Sequence, residues 1–396
     1  MRVLMLVWTD VVTDNRVLRE AGTLADAGHS VHIIGRNVPD DFVPTPGVTV
    51  SSAGKTSALK RASGEITSRP MSAPVRTARW MLLPAHVRAA HDAWERTARA
   101  DARDRDFDVV HAHDFTALAL GAELARERNV PLVYDSHEYW AGRPPGGRPT
   151  PLVHRRERSA EARLGSQAAA VLTVGTGIAE RLEADYGWSN VTVIRNTFPA
   201  LTSSAAFGEQ SEPGADRVTT PRGLVYAGRI GPLRELETVA AAAELLAPME
   251  VTLVGPADAT FLASFRRGRL VVRPPVPADE VDPILRAAGL ALVTLTDGWE
   301  NQRLAQPNKL FHAVRAGVPI VAADFGEVAR TVRDYGIGTL YAPGDPASLV
   351  GAVQAATASY GDLVEAVRAA AAELSWKRDG DALLGVYACI ADRGAL

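Results

Sequence analysis

The chain of 396 residues has almost no cysteine and few aromatic residues. Its single cysteine, Cys389, excludes an intramolecular disulfide and any zinc site built from several thiolates, a pattern typical of a reducing cytoplasm. Aromatic residues make up 6% of the chain, charged residues make up 22%, and the formal net charge is −3. Because a polyanion partner usually requires a basic surplus, this composition argues against a nucleic-acid-binding protein.

Long hydrophobic runs and the common dinucleotide-binding fingerprint are also missing. The N-terminal stretch MRVLMLVW is too short for a signal peptide or a membrane span and is better interpreted as a first strand. No GxGxxG motif follows any predicted strand, and LVGPAD at 253–258 lacks the second glycine. We therefore expect a soluble, cytoplasmic protein without a standard dinucleotide site.

What the chain does contain is a repeated alternation of short β-branched runs with helical Ala/Leu/Arg/Glu patterns. This alternation predicts βαβ units in an α/β fold with two Rossmann-like, doubly wound parallel-sheet domains. We expect them at residues 1–200 and 223–375, joined by a linker at 201–222 that is rich in Ser, Thr, Gly and Pro. In such sheets ligands bind beyond the carboxyl ends of the strands, so the loops there are the candidate sites.

The segment VYAGRIGPLRE places two arginines after a predicted strand of the second half. Arg229 follows the strand, and Arg234 stands at the start of the next helical pattern. The N–H groups and the positive dipole end of a helix face one spot, where guanidinium groups suit phosphate oxygens, so the pair predicts an anion site. Two surface arginines covering a turn are the alternative. A second helix start, at Pro307–Asn308, points out of the sheet in the same way.

Two loops of the first half carry histidines just past the ends of predicted strands, in DVVHAHDFTALALG and LVYDSHEYWAG. A histidine there can polarise or deprotonate a group in a cleft. A structural histidine bonded to backbone is the favoured interpretation of His111, whereas His113 is open between the two. His137, with Asp135 and Glu138 in the same loop, is the stronger functional candidate. The spacing matches no known ligand pattern, so we expect no metal.

Two further features of the first half suggest partners. Arg16 lies in the first turn of a helix that starts at Asp14 or Asn15, where a cation opposes the helix dipole, so an anionic or carboxylate partner is expected unless the residue is simply on the surface.

Residues 55–99 hold nine Lys or Arg against three acids, with Trp80 and Trp94 interleaved. This pattern suits either an anionic membrane surface or a loop and helix lying over the cleft.

Six motifs in order resemble those of the retaining GT-B glycosyltransferases of family 4. They are D-x-R-V-x-R-E-A-x-x-L-A-x-A-G-H-x-V, DVVHAHD, VYDSHE, YAGR, PNKLF…AGVPIV and a final SW…LLGVY. The resemblance runs from residue 1 to about 390. It implies a GT-B fold, two Rossmann-like domains facing across a cleft, with a C-terminal helix at about 376–396 crossing back to the first domain. It also implies an enzyme that uses a nucleotide-diphosphate sugar and needs no metal or other cofactor.

The resemblance implies site residues one by one. His137 matches the cleft histidine near the transferred sugar, and Arg229 matches the arginine that clamps the diphosphate. Arg234 falls where the family usually has lysine followed by glycine; the glycine is replaced by Glu235, which suggests a slightly different turn. The remaining candidates fall into two groups. The donor-side residues are Asn308, Lys309, Leu310, His312, Arg273 and Glu300, and the acceptor-side residues are Asp14, Arg16, His113, Asp114 and Glu138.

His312 stands where the family usually has the second of two glutamates eight residues apart, which accepts hydrogen bonds from both ribose hydroxyls. The first of these positions is occupied by Leu304, so both glutamates are absent. An imidazole can accept one ribose hydroxyl through a ring nitrogen, but not two. Glu300 or Asp297 is the candidate to replace the first glutamate. We therefore predict nucleotide binding that is weaker or differently oriented than a glutamate would give.

The resemblance predicts transfer of a sugar from a UDP- or GDP-type donor to a hydroxyl of a glycan, lipid or natural product, with retention of configuration. Two alternatives stay open, a noncatalytic GT-B partner protein, which the missing glutamates favour, and a GT-B nucleotide-sugar epimerase. The expected partners are a nucleotide sugar and a glycan, lipid-linked or small-molecule acceptor. Nucleic acid is not expected, and peripheral contact with the inner face of a membrane would use residues 55–99.

Overall fold

The computed structural model describes residues 1–54, 73–143, 151–200 and 220–394, with only the backbone described for residues 73–85 and 394. Most of the predicted linker, from 201 to 219, lies outside the described residues. The same is true of residues 55–72 of the predicted membrane-facing segment. All statements about contacts below concern the described part of the chain.

The described residues form thirteen strands, and most coincide with the β-branched runs of the sequence. In chain order, β1 to β13 are Arg2–Asp10, Ser30–Arg36, Val48–Ser52, Val109–His113, Leu132–Ser136, Ala170–Thr173, Val191–Val193, Gly223–Ala227, Glu250–Val254, Val271–Arg273, Gly289–Val293, Ile320–Ala323 and Gly338–Tyr341. The last strand was not predicted from the sequence. Its segment GTLY contains Gly and Thr and therefore lacks the apolar run that marks most of the other strands, and it is only partly buried in the structure.

The described residues form fourteen α-helices, of which eleven lie before β13 and three follow it. In chain order, α1 to α14 are Asn15–Asp26, Ala73–Arg103, Asp114–Arg128, Pro151–Gly165, Thr176–Tyr186, Leu236–Leu245, Ala259–Ser264, Ala278–Ala288, Glu300–Leu304, Asn308–Ala316, Gly326–Tyr335, Pro346–Ala358, Tyr360–Glu373 and Trp376–Gly394. The five-residue helix α9 is too short to show helical periodicity in the sequence. Helix α10 ends at Gly317, whose φ of +71° suits glycine as a C-cap.

The chain divides into two compact units. The first contains Met1–Ile194 and Gly380–Leu396, and the second contains Arg195–Asp379. Helix α14 therefore begins in the second unit and contributes most of its length to the first. Its Tyr387 is fully buried there and lies 2.9 Å from His111 of β4.

The sheet of the first unit is parallel throughout, with the strand order β3-β2-β1-β4-β5-β6-β7. Strands β4 and β5 are buried along their whole length, as expected for a sheet that is covered by helices on both faces. The order reverses between β1 and β4, since β1 pairs with β2 on one side and β4 on the other. This switch point brings the loops after β1, β4 and β5 to one edge of the sheet.

The sheet of the second unit has six parallel strands in the order β10-β9-β8-β11-β12-β13. Two apolar clusters cover its faces, one around Leu224 and Leu292 and the other around Val225 and Val293, so alternate residues of a strand point into opposite clusters. The switch point lies between β8 and β11. The predicted pair of doubly wound, Rossmann-like sheets is therefore confirmed.

The basic segment 55–99 is correctly predicted as helical toward its C-terminal end, but Trp94 does not face outward. Its side chain is fully buried and packs edge-on against Trp8 of β1. Arg99 is paired with Glu123 and Glu127 of α3. In the part of this segment whose side chains are described, the aromatic residue thus belongs to the core, because the helix packs against the first sheet. No described helix is both long and apolar enough to cross a membrane.

Candidate functional site

A pocket of about 470 Å³ lies at the carboxyl edge of the second sheet. Its size is typical of sites for small molecules. It is bordered by the loops after β8 and β9, by the start of α8, and by the N-terminus of α10. The lining residues are Tyr226, Ala227, Gly228, Arg229, Arg234, Val254, Gly255, Pro256, Pro275, Val276, Ala278, Val281, Leu295, Pro307, Asn308, Lys309 and His312. The pocket therefore collects both arginines and the helix start that the sequence singled out.

The floor of the pocket requires a glycine at residue 255. The loops after β8 and β9 pack backbone against backbone, with the N–H of Gly228 donating to the carbonyl of Val254 at 2.8 Å. Gly255 has a φ of +145°, and a Cβ there would lie 2.2 Å from the carbonyl oxygen of Gly228. A side chain at residue 255 would therefore clash with the adjacent loop and carry backbone strain.

Three cationic side chains border the pocket. Arg229 is two-thirds exposed and lies 3.9 Å from Asp258, a loose contact that leaves its guanidinium facing solvent. Lys309 lies over the ring of Tyr226 at 4.1 Å and 3.3 Å from the carbonyl oxygen of Thr294. Burial and the positive charge of Arg234 both lower the pKa of Lys309 well below the usual lysine value. An anion in the pocket would reverse this effect, because it would stabilise the charged form of Lys309.

The turn before α6 keeps the backbone conformation that glycine favours, even though residue 235 is glutamate. Glu235 has φ and ψ of 53° and 27°, in the left-handed region. Its Oε2 accepts hydrogen bonds from Thr294 at 3.2 Å and from Tyr341 at 3.1 Å. These bonds compensate for a backbone conformation that a residue with a side chain rarely adopts. The side chain of Glu235 thus anchors the turn that carries Arg234.

Three predicted donor-side residues do not line this pocket, and one of them, Leu310, is fully buried in the core of the second unit. Arg273, at the end of β10, directs its guanidinium to Glu250 at 3.1 Å and does not line the pocket. Glu300 begins helix α9 and is also absent from the lining. Asp297 is held by Arg303 in a two-pronged ion pair with distances of 2.5 and 3.0 Å. The structure therefore groups Arg229, Arg234 and the start of α10, but not Arg273 or Glu300.

In the first unit, the predicted site residues Arg16, His113 and His137 converge on Asp135, the fourth residue of β5. Its carboxylate accepts two hydrogen bonds from Arg16, at 2.8 and 2.7 Å, and both side chains are buried. Arg16 also donates to the carbonyl oxygen of Ile194 at 2.6 Å. The anionic partner expected for Arg16 is thus a carboxylate of the same unit. Its guanidinium is used within the protein and is not presented to an acceptor.

His137 and His113 extend this network towards the edge of the sheet. The Nε2 atom of His137 lies 2.9 Å from Asp135 Oδ2, and its Nδ1 atom lies 3.4 Å from Asp114 Oδ2. Burial by itself would lower the pKa of His137, but the two carboxylates outweigh burial and raise it to about 10. His113 lies 3.2 Å from both Asp135 and His137. His137 is therefore held as a cation, which suits orientation of a polar group better than proton abstraction.

His111 has a different partner from the one expected. Its Nδ1 atom lies 2.9 Å from the hydroxyl of Tyr387 rather than near a backbone group, and the ring stacks on His113. On its other side, Nε2 lies 3.8 Å from the buried Glu20. Burial raises the pKa of Glu20 to about 7. His111 thus joins the last helix to the first sheet, a structural role.

The buried side chains of Glu20, His111, His113 and Asp135 bring potential ligand atoms within 4.8 Å of one another, a spacing that could hold a metal ion. The guanidinium of Arg16 already lies 2.7 Å from Asp135 and 3.0 Å from Glu20. A metal ion would have to displace this cation from a buried, charge-balanced position. The residues fit an internal ion-pair network better than a metal centre.

The other acceptor-side residues shape the loops around this network. Asp14 caps helix α1 by accepting from the N–H of Val17 at 3.3 Å. Asp114 has a φ of +61° and accepts from the N–H of His137 at 3.2 Å. Glu138 is paired with Arg143 at 2.7 Å. All three hold local geometry at the edge of the first sheet.

Sequence reasoning missed Asp282, which is 3% exposed and contacts His312 at 3.0 Å. A local signal was available, since Asp282 lies one residue after Val281 and three before Leu285, on the apolar face of α8. A charged residue on a buried face usually has a partner. The central position of Asp135 could not be predicted from the local sequence, because its partner Arg16 is 119 residues away along the chain.

Comparison with protein families gives two matches that together span well over half of the chain. The family described as Glycosyltransferase Family 4 matches residues 14–199, and the one described as Glycosyl transferases group 1 matches residues 221–359. Two relatives are D-inositol 3-phosphate glycosyltransferases. The one from Acidothermus cellulolyticus is 25% identical over 94% of this chain and 84% of its own length. The one from Catenulispora acidiphila is 28% identical over 71% of this chain and 72% of its own length.

Solved structures share the fold at low sequence identity. Sucrose-phosphate synthase from Thermosynechococcus elongatus superposes with a TM-score of 0.69 at 16% identity, covering 99% of this chain and 100% of that one. HepE of Anabaena, solved in complex with UDP, gives a TM-score of 0.62 at 15% identity, with complete coverage of both chains. At these identities, the likeness concerns the fold alone.

Proposed function

This chain belongs to glycosyltransferase family 4, whose two-domain, Rossmann-like GT-B fold it shares, and on that premise we propose its reaction. The enzyme moves a sugar from a nucleoside diphosphate to a hydroxyl of a glycan, a lipid or a natural product, in the cytoplasm and with retention of the anomeric configuration. UDP is the first candidate nucleotide, since the structural neighbour HepE was solved with UDP. The donor site is the 470 Å³ pocket of the second unit.

The observation that carries this proposal is the charge around the pocket. Arg229, Arg234 and Lys309 border it together with the N-terminus of α10 at Asn308, and no described lining residue is Asp or Glu. Three cations and unpaired helix N–H groups form a strong site for a diphosphate. Pro275 and Val276 also line the pocket, where backbone groups and apolar surface suit a base.

In the proposed mechanism the protein stabilises the leaving group. As the bond to the anomeric carbon breaks, negative charge grows on the diphosphate, where Arg229, Arg234 and the N–H groups of α10 are placed to stabilise it. These groups supply the positive charge that a metal ion would otherwise bring. Because no described lining residue is a carboxylate, no group of the pocket suits the covalent nucleophile of a two-step route. The departing phosphate would take the acceptor proton on the same face.

For His137 of the first unit we propose a separate role, the orientation of the transferred sugar. Its imidazole is held between Asp114 and Asp135, which raise its pKa to about 10. A cationic imidazole donates hydrogen bonds and cannot accept a proton. Because Nε2 is directed at Asp135, the Nδ1–H group, 3.4 Å from Asp114, is the donor that would bind a sugar hydroxyl. A base role for His137 is disfavoured for the same reason.

The test is calorimetric binding of UDP, GDP, dTDP and ADP, each to the wild type, to Arg229→Ala and to the matched control Arg333→Ala. Arg333 is exposed and pairs with Asp324 away from the pocket. We expect one nucleotide to bind the wild type and the control equally, and to bind Arg229→Ala at least tenfold more weakly, as for loss of a charge-assisted donor. Equal binding by all three proteins would refute the assigned site.

Activity is then measured with the sugar donors of that nucleotide, and D-inositol 3-phosphate is a first acceptor because two relatives are named for it. The anomeric configuration of the product tests retention. Failure of all four nucleotides to bind the wild type would point instead to a noncatalytic partner protein, the alternative that the missing glutamate at residue 312 favours.

A further inference from the structure

Tyr226, the fourth residue of β8, lies among the cationic side chains that border the pocket of the second unit. Its side chain is fully buried, yet it is also one of the residues that line the pocket. Its hydroxyl group and its ring contact different segments of the chain. One side chain therefore joins parts of the pocket that are distant in sequence.

The hydroxyl group of Tyr226 holds the turn that carries Arg229. It donates a hydrogen bond to the backbone carbonyl oxygen of Arg229 at 2.9 Å. The guanidinium of Arg229 is two-thirds exposed and lies 3.9 Å from Asp258, so the position of this cation depends on the backbone that carries it. Arg234 lies near the same hydroxyl, since burial raises the pKa of Tyr226 to about 12 and the charge of Arg234 opposes that rise.

The ring of Tyr226 supports Lys309, the second residue of α10. The Nζ atom of Lys309 lies 4.1 Å from the ring centroid, within the range of a cation–π interaction, and 3.3 Å from the carbonyl oxygen of Thr294, which follows β11. These contacts connect the N-terminus of α10 to the ends of β8 and β11. An anion in the pocket stabilises the charged form of Lys309, so the contact with the ring is strongest when the pocket is occupied.

The loop after β8 packs directly on this pair of side chains. A Cβ on Gly228 would lie 3.5 Å from the hydroxyl oxygen of Tyr226 and 3.6 Å from Cε of Lys309. Both are ordinary van der Waals distances, so the backbone of Gly228 lies against Tyr226 and Lys309. The loop that carries Arg229 and the helix start that carries Lys309 thus share one support.

We propose that Tyr226 is a positioning residue of the donor site, whose hydroxyl holds the Arg229 turn and whose ring holds Lys309, so that both sides of the diphosphate site are in place before the donor binds. This role depends on the proposed function. Tyr226 needs no contact with the nucleotide, because it acts through Arg229 and Lys309. A site that is already ordered binds its ligand at a lower entropic cost, so loss of either contact should weaken binding of the diphosphate.

The hydroxyl is tested with Tyr226→Phe, which keeps the ring. In calorimetry UDP should bind this variant about three- to tenfold more weakly than the wild type, as for loss of one hydrogen bond. In an Arg229→Ala background the added change should weaken UDP binding by less than about twofold, because the residue that the hydroxyl positions has lost its side chain. Uridine, which has no phosphate, should bind the wild type and Tyr226→Phe alike in an NMR titration.

The matched control is Tyr335→Phe. This change also removes a phenol hydroxyl from the second unit, but that hydroxyl donates to Glu373, away from the pocket, at 3.3 Å. The control should bind UDP as the wild type does.

The ring is tested with Tyr226→Leu, which loses both contacts. UDP should bind it about two- to tenfold more weakly than it binds Tyr226→Phe, because a cation–π contact is lost as well. In a Lys309→Met background the leucine and phenylalanine variants should bind UDP alike. A difference that persists without the ammonium would overturn the role of the ring. If Tyr226→Leu does not fold, the result with Tyr226→Phe still decides the proposal.

The outcomes distinguish this role from the proposed function. Wild-type affinity for UDP in Tyr226→Phe overturns the positioning role, as does an equal loss with and without the Arg229 side chain, or a parallel weakening of uridine. In each of these cases the donor site stands. Failure of UDP, GDP, dTDP and ADP to bind the wild type overturns the proposed function, and the role of Tyr226 falls with it. If another of these diphosphates is the one that binds, it and its nucleoside replace UDP and uridine.

Discussion

Replacing His137 with glutamine should remove a pH dependence of stability that the structure builds into the first unit. In the folded protein the carboxylates of Asp114 and Asp135 lie 3.4 and 2.9 Å from the ring nitrogens of His137, and despite burial they raise its pKa to about 10. In the unfolded chain the same histidine titrates near the ordinary value of 6.5. Glutamine is close in size and carries no proton that titrates in this range.

The sign and the magnitude follow from the two pKa values. Between pH 6.5 and pH 10 the folded state holds a proton on His137 that the unfolded state has released. The stabilisation by the charged His137 is therefore complete below about pH 6.5 and is lost as the pH rises towards 10. The unfolding free energy contributed by His137 should fall by ~1.4 kcal/mol per pH unit in this window. The advantage of the wild type over His137→Gln should therefore shrink by about 3 kcal/mol between pH 7 and pH 9.

Urea unfolding followed by tryptophan fluorescence measures this difference, since five of the seven tryptophans lie before residue 195. The matched control is His32→Gln. Burial, aided by the charge of Arg105, lowers the pKa of His32 to about 4, so this histidine is neutral in the folded and the unfolded state above pH 7.5. The unfolding free energy of His32→Gln should therefore change with pH in the same way as that of the wild type. A constant gap between wild type and His137→Gln from pH 7 to pH 9 would refute the assignment of His137 as a buried cation.

Two other predictions concern the second unit. Glu235→Ala loses two side-chain hydrogen bonds and keeps the left-handed backbone, whereas Glu235→Gly loses the same bonds but relieves the backbone strain. Urea unfolding should therefore show the glycine variant to be more stable than the alanine variant by roughly 1 kcal/mol. An alanine variant that is equally stable or more stable would contradict this account. Binding of UDP should raise the pKa of Lys309, which burial and the charge of Arg234 lower in the free protein, so binding should be accompanied by proton uptake in the pH range where the free protein releases this proton. Calorimetry in buffers of different ionisation enthalpy measures the uptake, which should vanish in Lys309→Met; binding without uptake in the wild type would refute this role.

Much of the fold was predictable because the determining information is local. The apolar runs of β1 and β4 and the helical pattern of α10 were visible as periodicity over a few residues, and the alternation of such segments requires crossover connections and hence parallel sheets. Short or half-exposed elements carry a weaker signal. Strand β13 and helix α9 were missed for this reason.

The candidate site was predictable only where its parts are neighbours in sequence. Arg229 and Arg234 lie on one loop, and Asn308 begins a helix that follows a strand, so topology alone directs them to one edge of the second sheet. Arg273 and Glu300 were assigned to the same edge from sequence, but they do not line the pocket, because the direction of a side chain depends on its partners. The pairing of Arg273 with Glu250 decides that direction.

The sequence by itself thus determined two α/β units, the loops that could hold a ligand, and the charges on them, because periodicity and strand–helix alternation act over short distances along the chain. Only the tertiary structure determined which partner each buried charged residue contacts. Arg16 meets Asp135 across 119 residues, and His312 meets Asp282 across 30. Such contacts depend on how whole helices and strands pack against one another. Packing therefore placed one histidine between two carboxylates and the other beside an aspartate and an arginine, a difference that the pattern of residues around them does not contain.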